Sequence, residues 1–226
     1  MSVPNKRITP QELRSHFHDG MTIVFGGFMG LGTPDGILQE LLDTGTKDLT
    51  IIGDDTGTPG RGVGPLVVNH RVKKAIVGHI GTNPETGRQM LAGEIEIELS
   101  PLGTLAERIR CGGAGLGGVL TPTGVGTIVE KGKTKLTFDG VEYLVERALR
   151  AELGIVKAYR ADESGNLVYQ RTARNYNPMV AMAADFVIAE VDEVVPTGEL
   201  DPECIITPGI LVDAIVLAKE FKNVAR

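Results

Sequence analysis

Short β-branched runs alternate with helix-length amphipathic segments through the first half of the 226-residue chain, and that alternation restricts it to an α/β architecture. Thr22–Phe25 reads as a buried strand. A glycine loop follows, then a helix over residues 35–42 with Thr33 as N-cap, Pro34 as first helical residue and Gly45 past its end. Residues 49–52, 75–77 and 95–99 are the next strands, with helices over 65–70 and Pro84–Leu91 between them. Residues 104–110 form a further helix, and the glycines of 112–118, with the TPTGVGT segment beyond, read as an irregular loop. Lys135–Phe138 and residues 141–145 flank Asp139-Gly140, a type I′ turn dipeptide, as a hairpin. Strands over 153–158, 167–169 and 186–190 and a helix over 178–184 complete the pattern. No internal repeat or interdomain linker is visible. The expectation is one domain over residues 1–226, an open, largely parallel sheet flanked by helices with an added β-hairpin.

Glycine is in excess, at 30 residues, and lacks the fixed period of a collagen. Net charge is −6, aromatic residues are 4% and Trp is absent, which argues against a nucleic-acid partner. Cys111 and Cys204 show neither CxxC nor metal spacing and read as free thiols, packed rather than reactive, in a reducing compartment. The N-terminal stretch carries no apolar leader core, and no run reaches the roughly 18 apolar residues of a membrane span. These features point to a cytoplasmic protein without a membrane partner. His16 and His18 fall in an N-terminal surface helix, and His70 and His79 lie at element ends without a partner at metal spacing, so no metal site is expected. Glu94, Glu96 and Glu98 alternate along a strand as its solvated or interface-facing side.

The densest signal runs from Asp19-Gly20 through the apolar strand to Gly26-Gly27-Phe28-Met29-Gly30-Leu31-Gly32-Thr33-Pro34. Four glycines in seven residues let backbone N–H groups approach an anionic or carbonyl ligand, and the helix opening at Pro34 adds its positive end. The spacing is not GxGxxG and no GK[ST] follows, so a ligand loop and a tight strand-to-helix connection both remain open.

The same stretch resembles the signature of the alpha subunit of class I coenzyme A transferases: Asp-Gly, an apolar run, then Gly-Gly-Phe-x-x-x-Gly-x-Pro. The resemblance continues through Ile80-Gly81-Thr82-Asn83-Pro84-Glu85-Thr86-Gly87, Leu102-Gly103-Thr104-Leu105-Ala106-Glu107-Arg108-Ile109-Arg110, the 112–118 glycines with Thr121-Pro122-Thr123-Gly124, and Arg174-Asn175-Tyr176-Asn177-Pro178. Within the family it is most similar to alpha subunits of bacterial acetate, butyrate and acetoacetate CoA-transferases, with 3-oxoacid (succinyl) transferases next.

The resemblance implies ping-pong transfer of CoA from a short-chain or 3-oxoacyl-CoA to a free carboxylate, through a glutamate of a beta subunit in an α2β2 assembly. That glutamate belongs to a Ser-Glu-Asn-Gly motif absent here; Glu163-Ser164-Gly165-Asn166 has the residue types in the wrong order and reads as a turn. No catalytic residue is therefore expected in this chain, and CoA enters as substrate, with no permanently bound cofactor. Gly26, Gly27, Phe28, Met29, Gly30, Leu31 and Gly32 are the implied CoA- and substrate-binding loop, with Asp54, Asp55, Leu102 and Gly103 as a wall of the site. Backbone donors of the loop are expected to stabilise a tetrahedral oxyanion, and Phe28 reads as an apolar lid or as core.

Two departures stand out. Many family members carry an amide pair or Asn-Asp where this chain has Asp54-Asp55, and Gln where it has Leu102. An amide donates a hydrogen bond that an ionised Asp or a Leu cannot. Either Asp54 and Asp55 are solvated turn carboxylates, or their proximity in a closed site raises one pKa enough to make it a donor. Arg108 and Arg110 face CoA phosphates, a partner subunit, or simply their own helix dipole. Two alternatives stay open: a partner-dependent acyl-CoA hydrolase or ring-cleaving relative, and a non-catalytic module binding acyl-CoA or a phosphometabolite.

Overall fold

The structure, a computed structural model, describes residues 5–221. Residues 1–4, where the stretch read as lacking a leader begins, and 222–226 lie outside the described residues. In chain order the elements are α1 (Pro10–Leu13), β1 (Thr22–Phe25), α2 (Asp35–Asp43), β2 (Leu49–Asp55), α3 (Gly64–Val68), β3 (Val72–His79), α4 (Pro84–Leu91), β4 (Glu96–Leu99), α5 (Leu102–Gly113) and β5 (Gly118–Thr121). They continue as β6 (Lys135–Phe138), β7 (Val141–Arg147), β8 (Ala151–Asp162), β9 (Leu167–Val168), α6 (Asn177–Met182), β10 (Ala184–Val195) and β11 (Ala214–Leu217).

The large sheet runs β11-β10-β8-β1-β2-β3-β4 with every neighbouring pair parallel, and β9 adds antiparallel to β8. Consecutive strands build outward from β1 to one side, and the later strands β8, β10 and β11 fill the other. The order therefore reverses between β1 and β8, and in open α/β sheets the crevice beyond the strand C-termini at such a point is where ligands bind. The loop after β1 lies there.

Both faces of the sheet are covered, as a parallel sheet requires. Ile23 and Phe25 of β1 and Ile51 of β2 pack with Ile37 and Leu41 of α2 and Leu66 of α3. Val24 and Ile52 face the other way, onto Leu105 and Ile109 of α5 and Val180 of α6. A separate antiparallel sheet, β5-β7-β6, contains the expected hairpin, whose Asp139 and Gly140 sit at φ 50° and 79°, as a type I′ turn demands.

Several expectations are corrected. β8 and β10 run for 12 residues each, well beyond the stretches read from sequence, because they pair with each other along their length. Gly112 and Gly113 are helical, closing α5 against Leu149 and Met182, where a Cβ would come within 1.9 and 2.4 Å of neighbouring atoms; Gly118 opens β5. The irregular part of the glycine run thus shrinks to residues 114–117, while residues 122–127 of the TPTGVGT segment are irregular as read. His18 lies beyond the N-terminal helical turns. Cys111 is buried, whereas Cys204 is exposed rather than packed.

Thr33 does not cap α2. Glu190 of β10 does, its Oε2 accepting from the N–H groups of Gly36 at 2.8 Å and Ile37 at 3.1 Å. Burial pushes the Glu190 carboxyl up, opposed by Lys157, whose Nζ lies 3.4 Å from Oε1. The positive end of α2 is consequently filled by the protein's own carboxylate. Glu190→Ala removes two hydrogen bonds to a buried helix start and leaves Lys157 with Asp192 as its remaining carboxylate partner, and is expected to cost about 1–3 kcal/mol. Glu190→Gln, which keeps an acceptor, is expected to lose less; chemical denaturation of the two variants measures the difference.

Candidate functional site

The loop after β1 is a miniature hairpin. Phe28 and Leu31 exchange both backbone hydrogen bonds, at 3.0 and 2.9 Å, around Met29 and Gly30 at φ 50° and 78°. This is a type I′ turn with a non-glycine residue in the left-handed region, a costly position for methionine. Asp54 holds it: Oδ2 accepts from the Met29 N–H at 3.1 Å.

From the other side the loop is clamped by α6 and the residues before it. Asn175 accepts from Gly27 N–H at 3.1 Å and donates to Leu31 O at 2.9 Å. Asn177 donates to Gly32 O at 2.9 Å and accepts from Lys157 N–H at 2.8 Å. Two glycines make this approach possible. A Cβ on Gly26 would fall 1.7 Å from Asn177 Oδ1, and one on Gly27, at φ +122°, would fall 2.5 Å from Thr33 Oγ1.

Most loop donors are thereby used. Gly26 donates to Ile155 O, Gly27 to Asn175, Phe28 and Leu31 to each other, and Met29 to Asp54. Within Gly26 to Gly32, only the N–H groups of Gly30 and Gly32 have no acceptor among the described residues. The broad array of free donors expected from the glycine count narrows to these two.

The connection after β2 repeats this architecture, which the sequence reading missed. Thr58 and Arg61 bridge around Pro59-Gly60, with Gly57 and Gly62 at positive φ in the places of Gly27 and Gly32. The flanking glycines and the backbone bridge are shared, but the turn is of the other hand, since Pro59 is confined to negative φ and Gly60 does not adopt positive φ, and this is too little to register as a repeat in sequence. The two tips stand side by side and enclose a cavity of about 250 Å³. Phe25, Phe28 and Val63 supply apolar wall, Asp54 and Asp55 lie on β2, and Arg61 and Thr82 complete the polar set.

Asp54 and Asp55 are buried at the end of β2 and are not solvated turn carboxylates. Asp55 is bound locally, its Oδ1 accepting from Gly57 N–H at 2.8 Å. The Asp54 carboxyl is pushed up to about 6. Burial is the main cause, and the neighbouring Asp55 charge adds less; the Met29 N–H and His79 oppose them. Tyr176 is also driven to about 12, by burial first and then by the Asp54 charge, and its hydroxyl donates to Leu102 O at 3.0 Å.

Of the residues singled out from sequence, the cavity brings together Gly27, Phe28, Met29, Gly30, Asp54 and Asp55. Phe28 is 41% exposed, a loop-tip residue and not core. Gly26 and Gly32 are the hinge points of the loop under Asn177. Leu102 packs over Gly78 beside the Asp54 carbonyl, while Gly103 lines a separate cleft of about 210 Å³ with Glu107 and Thr121. Arg108 is buried, bonded to Glu98 at 2.7 Å and to Arg147 O, which removes it from any ligand. Arg110 pairs with Glu107 along its own helix. Glu163 to Asn166 form the turn read from sequence, held by Asp162 Oδ1. Asn175 and Asn177, which clamp the loop, and Arg61 and Thr82, which only line the cavity, are residues that the sequence reading did not single out, although the Asn-Tyr-Asn-Pro run was visible.

Comparison with known proteins matches the sequence profile of the coenzyme A transferase family to residues 7–218. The acetate CoA-transferase subunit alpha of Escherichia coli K12 is 56% identical over 217 residues, 96% of this chain and 99% of that one. The acetoacetyl-CoA:acetate/butyrate CoA transferase alpha subunit of Clostridium acetobutylicum is 49% identical over 212 residues, 94% and 97% of the two chains. Among solved structures, the apoenzyme of an acyl-CoA transferase from Escherichia coli O157:H7 superposes with TM-score 0.88 at 21% identity, covering 100% of this chain and 49% of that one. Glutaconate coenzyme A-transferase from Acidaminococcus fermentans superposes with TM-score 0.82 at 22% identity, covering 94% and 75%. The chain spans about half the length of the first of these solved chains, and at such identities the likeness shows the fold.

A carboxyl that is raised on folding from 3.8 to about 6 withdraws stability as pH climbs between those values. Below about 4 both states carry the proton and nothing is lost; above about 6 the folded state bears the full cost of a buried charge. Asp54→Asn, neutral throughout, is therefore expected to melt progressively higher than the parent as pH rises from 4 to 6, with a constant gain above. Thermal denaturation across pH 4.5–8 checks this, and a pH-independent difference would contradict it.

Proposed function

The chain belongs to the coenzyme A transferase family, and we propose that it is the alpha subunit of a heteromeric enzyme that moves CoA between a short-chain acyl- or 3-oxoacyl-CoA and a free carboxylate. The single observation that carries this reading is its 49–56% identity, over nearly its full length, to relatives named as alpha subunits of acetate and acetoacetyl-CoA transferases. The cavity between the two loops supports it: it is sized for a small acyl group, and among the described residues that line it there is no glutamate. The nucleophile comes from a beta subunit, in an α2β2 assembly acting in the cytoplasm, with this chain as one domain. Among the described residues no helix is long and apolar enough to cross a membrane.

In this mechanism the partner's glutamate attacks the thioester carbonyl and expels CoA thiolate, leaving a mixed anhydride. The thiolate attacks the glutamyl carbonyl, releasing the first carboxylate and storing the thioester on the enzyme. The second carboxylate reverses these steps. This chain supplies the other wall: the Gly26–Gly32 loop, with Asp54, Asp55 and Leu102 beside it. Gly30 N–H, left without an internal acceptor, is the backbone donor offered to the developing oxyanion, an interaction worth about 2.7–4 kcal/mol at comparable acyl-transfer sites. Coenzyme A is substrate here.

Reconstitution with a beta subunit carrying the glutamate, followed by loss of acetoacetyl-CoA in the presence of acetate or butyrate, tests the proposal. The chain alone is expected to be inert and the complex active; a stable complex inert with every acyl-CoA and carboxylate would overturn the reading. In the active complex, Gly27→Val is expected to reduce kcat at least a hundredfold, because its side chain collides with Thr33 in a left-handed backbone. Retained turnover would move the site elsewhere.

A further inference from the structure

Arg61 is the one charged residue of the cavity to which the proposed chemistry gives no task, and the fold uses only one edge of it, in an ion pair with Asp35. Among the described residues it is the only cationic side chain lining that cavity, and its side chain is 59% exposed. Asp35 Oδ2 meets its Nε at 3.3 Å, which orients the guanidinium from one edge. The terminal Nη1 and Nη2 groups take no hydrogen bond among the described residues, leaving a two-pronged donor of the shape that binds a carboxylate side-on. The guanidinium lies over Gly30, 3.7 Å from where a Cβ would stand, between the tips of the two loops. On the same cavity wall Thr82 Oγ1 is buried without a hydrogen-bond partner, a second polar group with unused capacity.

The charge of Arg61 is permanent. A reacting carboxylate, by contrast, alternates between an anion and a neutral thioester, and a fixed cation facing it would hold the free acid and oppose transfer. Arg61 therefore suits an anionic group that stays ionised throughout the cycle. The phosphates of CoA are a poor match: the cavity, at about 250 Å³, is too small for a nucleotide. The larger cleft on the other side of Arg61 is lined by Lys157 and Lys219 as well, but Asp35, Glu190 and Asp192 line it too, so among the described residues its three cations face as many carboxylates and no net cationic field collects there.

Resting on the transferase reading, we propose that Arg61, assisted by Thr82, is a specificity residue for the distal carboxylate of a dicarboxylic acyl substrate, with Phe25, Phe28 and Val63 lining the path of its methylenes. Acetate and butyrate would occupy the same cavity without using this contact.

The reconstituted complex is assayed with acetoacetyl-CoA and four acceptors: acetate, butyrate, succinate and glutarate. The parent is expected to use at least one dicarboxylate, and Arg61→Gln to raise KM for it at least tenfold while acetate stays within twofold. Acetate turnover also reports that the variant is folded. Thr82→Val is expected to shift the dicarboxylate KM in the same direction by a smaller factor. A parent active with acetate but with neither dicarboxylate overturns this inference and leaves the transferase reading intact. So does an equal loss with all acceptors, or a rise confined to the KM for acetoacetyl-CoA, which would assign Arg61 to the CoA phosphates. A parent inert with every acceptor removes the transferase reading itself.

Discussion

The side-chain amide of Asn177 occupies the space a Cβ on Gly26 would fill, and the chain is organised around that intrusion. The amide receives the Lys157 N–H of β8 and donates to the carbonyls of Gly32 and Ala173. One polar group thus fastens the exit of β1, the middle of β8 and the start of α6 at the point where strand order reverses. Asn175 extends the fastening to both sides of the loop tip through Gly27 and Leu31. The loop's shape follows from backbone bonds to fixed amides, so it is set before any ligand arrives, and preorganised donors need no rearrangement at the moment of reaction.

The fold was legible because most of its causes are local. The nearly unbroken apolar burial of β1 and β2, the Asn83-Pro84 start of α4 and the Asp139-Gly140 turn each act within a few residues. What escaped the sequence has long-range causes. The cap of α2 comes from Glu190, more than 150 residues away, and a search for a local Ser, Thr or Asp naturally settles on Thr33. Gly112 and Gly113 suggest a coil by propensity, yet they are helical because Leu149 and Met182 press against them and leave no room for a larger residue. β11 was passed over since Ala214–Leu217 is only four residues of apolar chain, and its strand identity comes from pairing with β10.

The site was legible in part for the same reason. Glycine spacing located the first loop, but the companion loop after β2 shares only its flanking glycines and a backbone bridge with it, so the cavity between them could not be foreseen. Arg108 and Arg61 show how charge misleads at the level of composition. The arginine in the family-like helix is consumed by Glu98 and a backbone carbonyl, while the one in an unremarked turn lines the cavity.

Asp54 carries two demands that a carboxylate meets together in only one protonation state. The left-handed Met29 needs an acceptor for its N–H, and Asp54 provides it in either form. Under the proposed function, a reacting oxygen in the cavity would need a donor, which an ionised Asp54 cannot be. Burial moves the carboxyl toward the state that satisfies both, a carbonyl oxygen for Met29 and an O–H for the cavity. An amide at this position would do the same at every pH. The acid makes the second function conditional on pH, and it ties that function to the residue that already fixes the loop, so a change at Asp54 that alters the cavity's chemistry also alters the turn that shapes it.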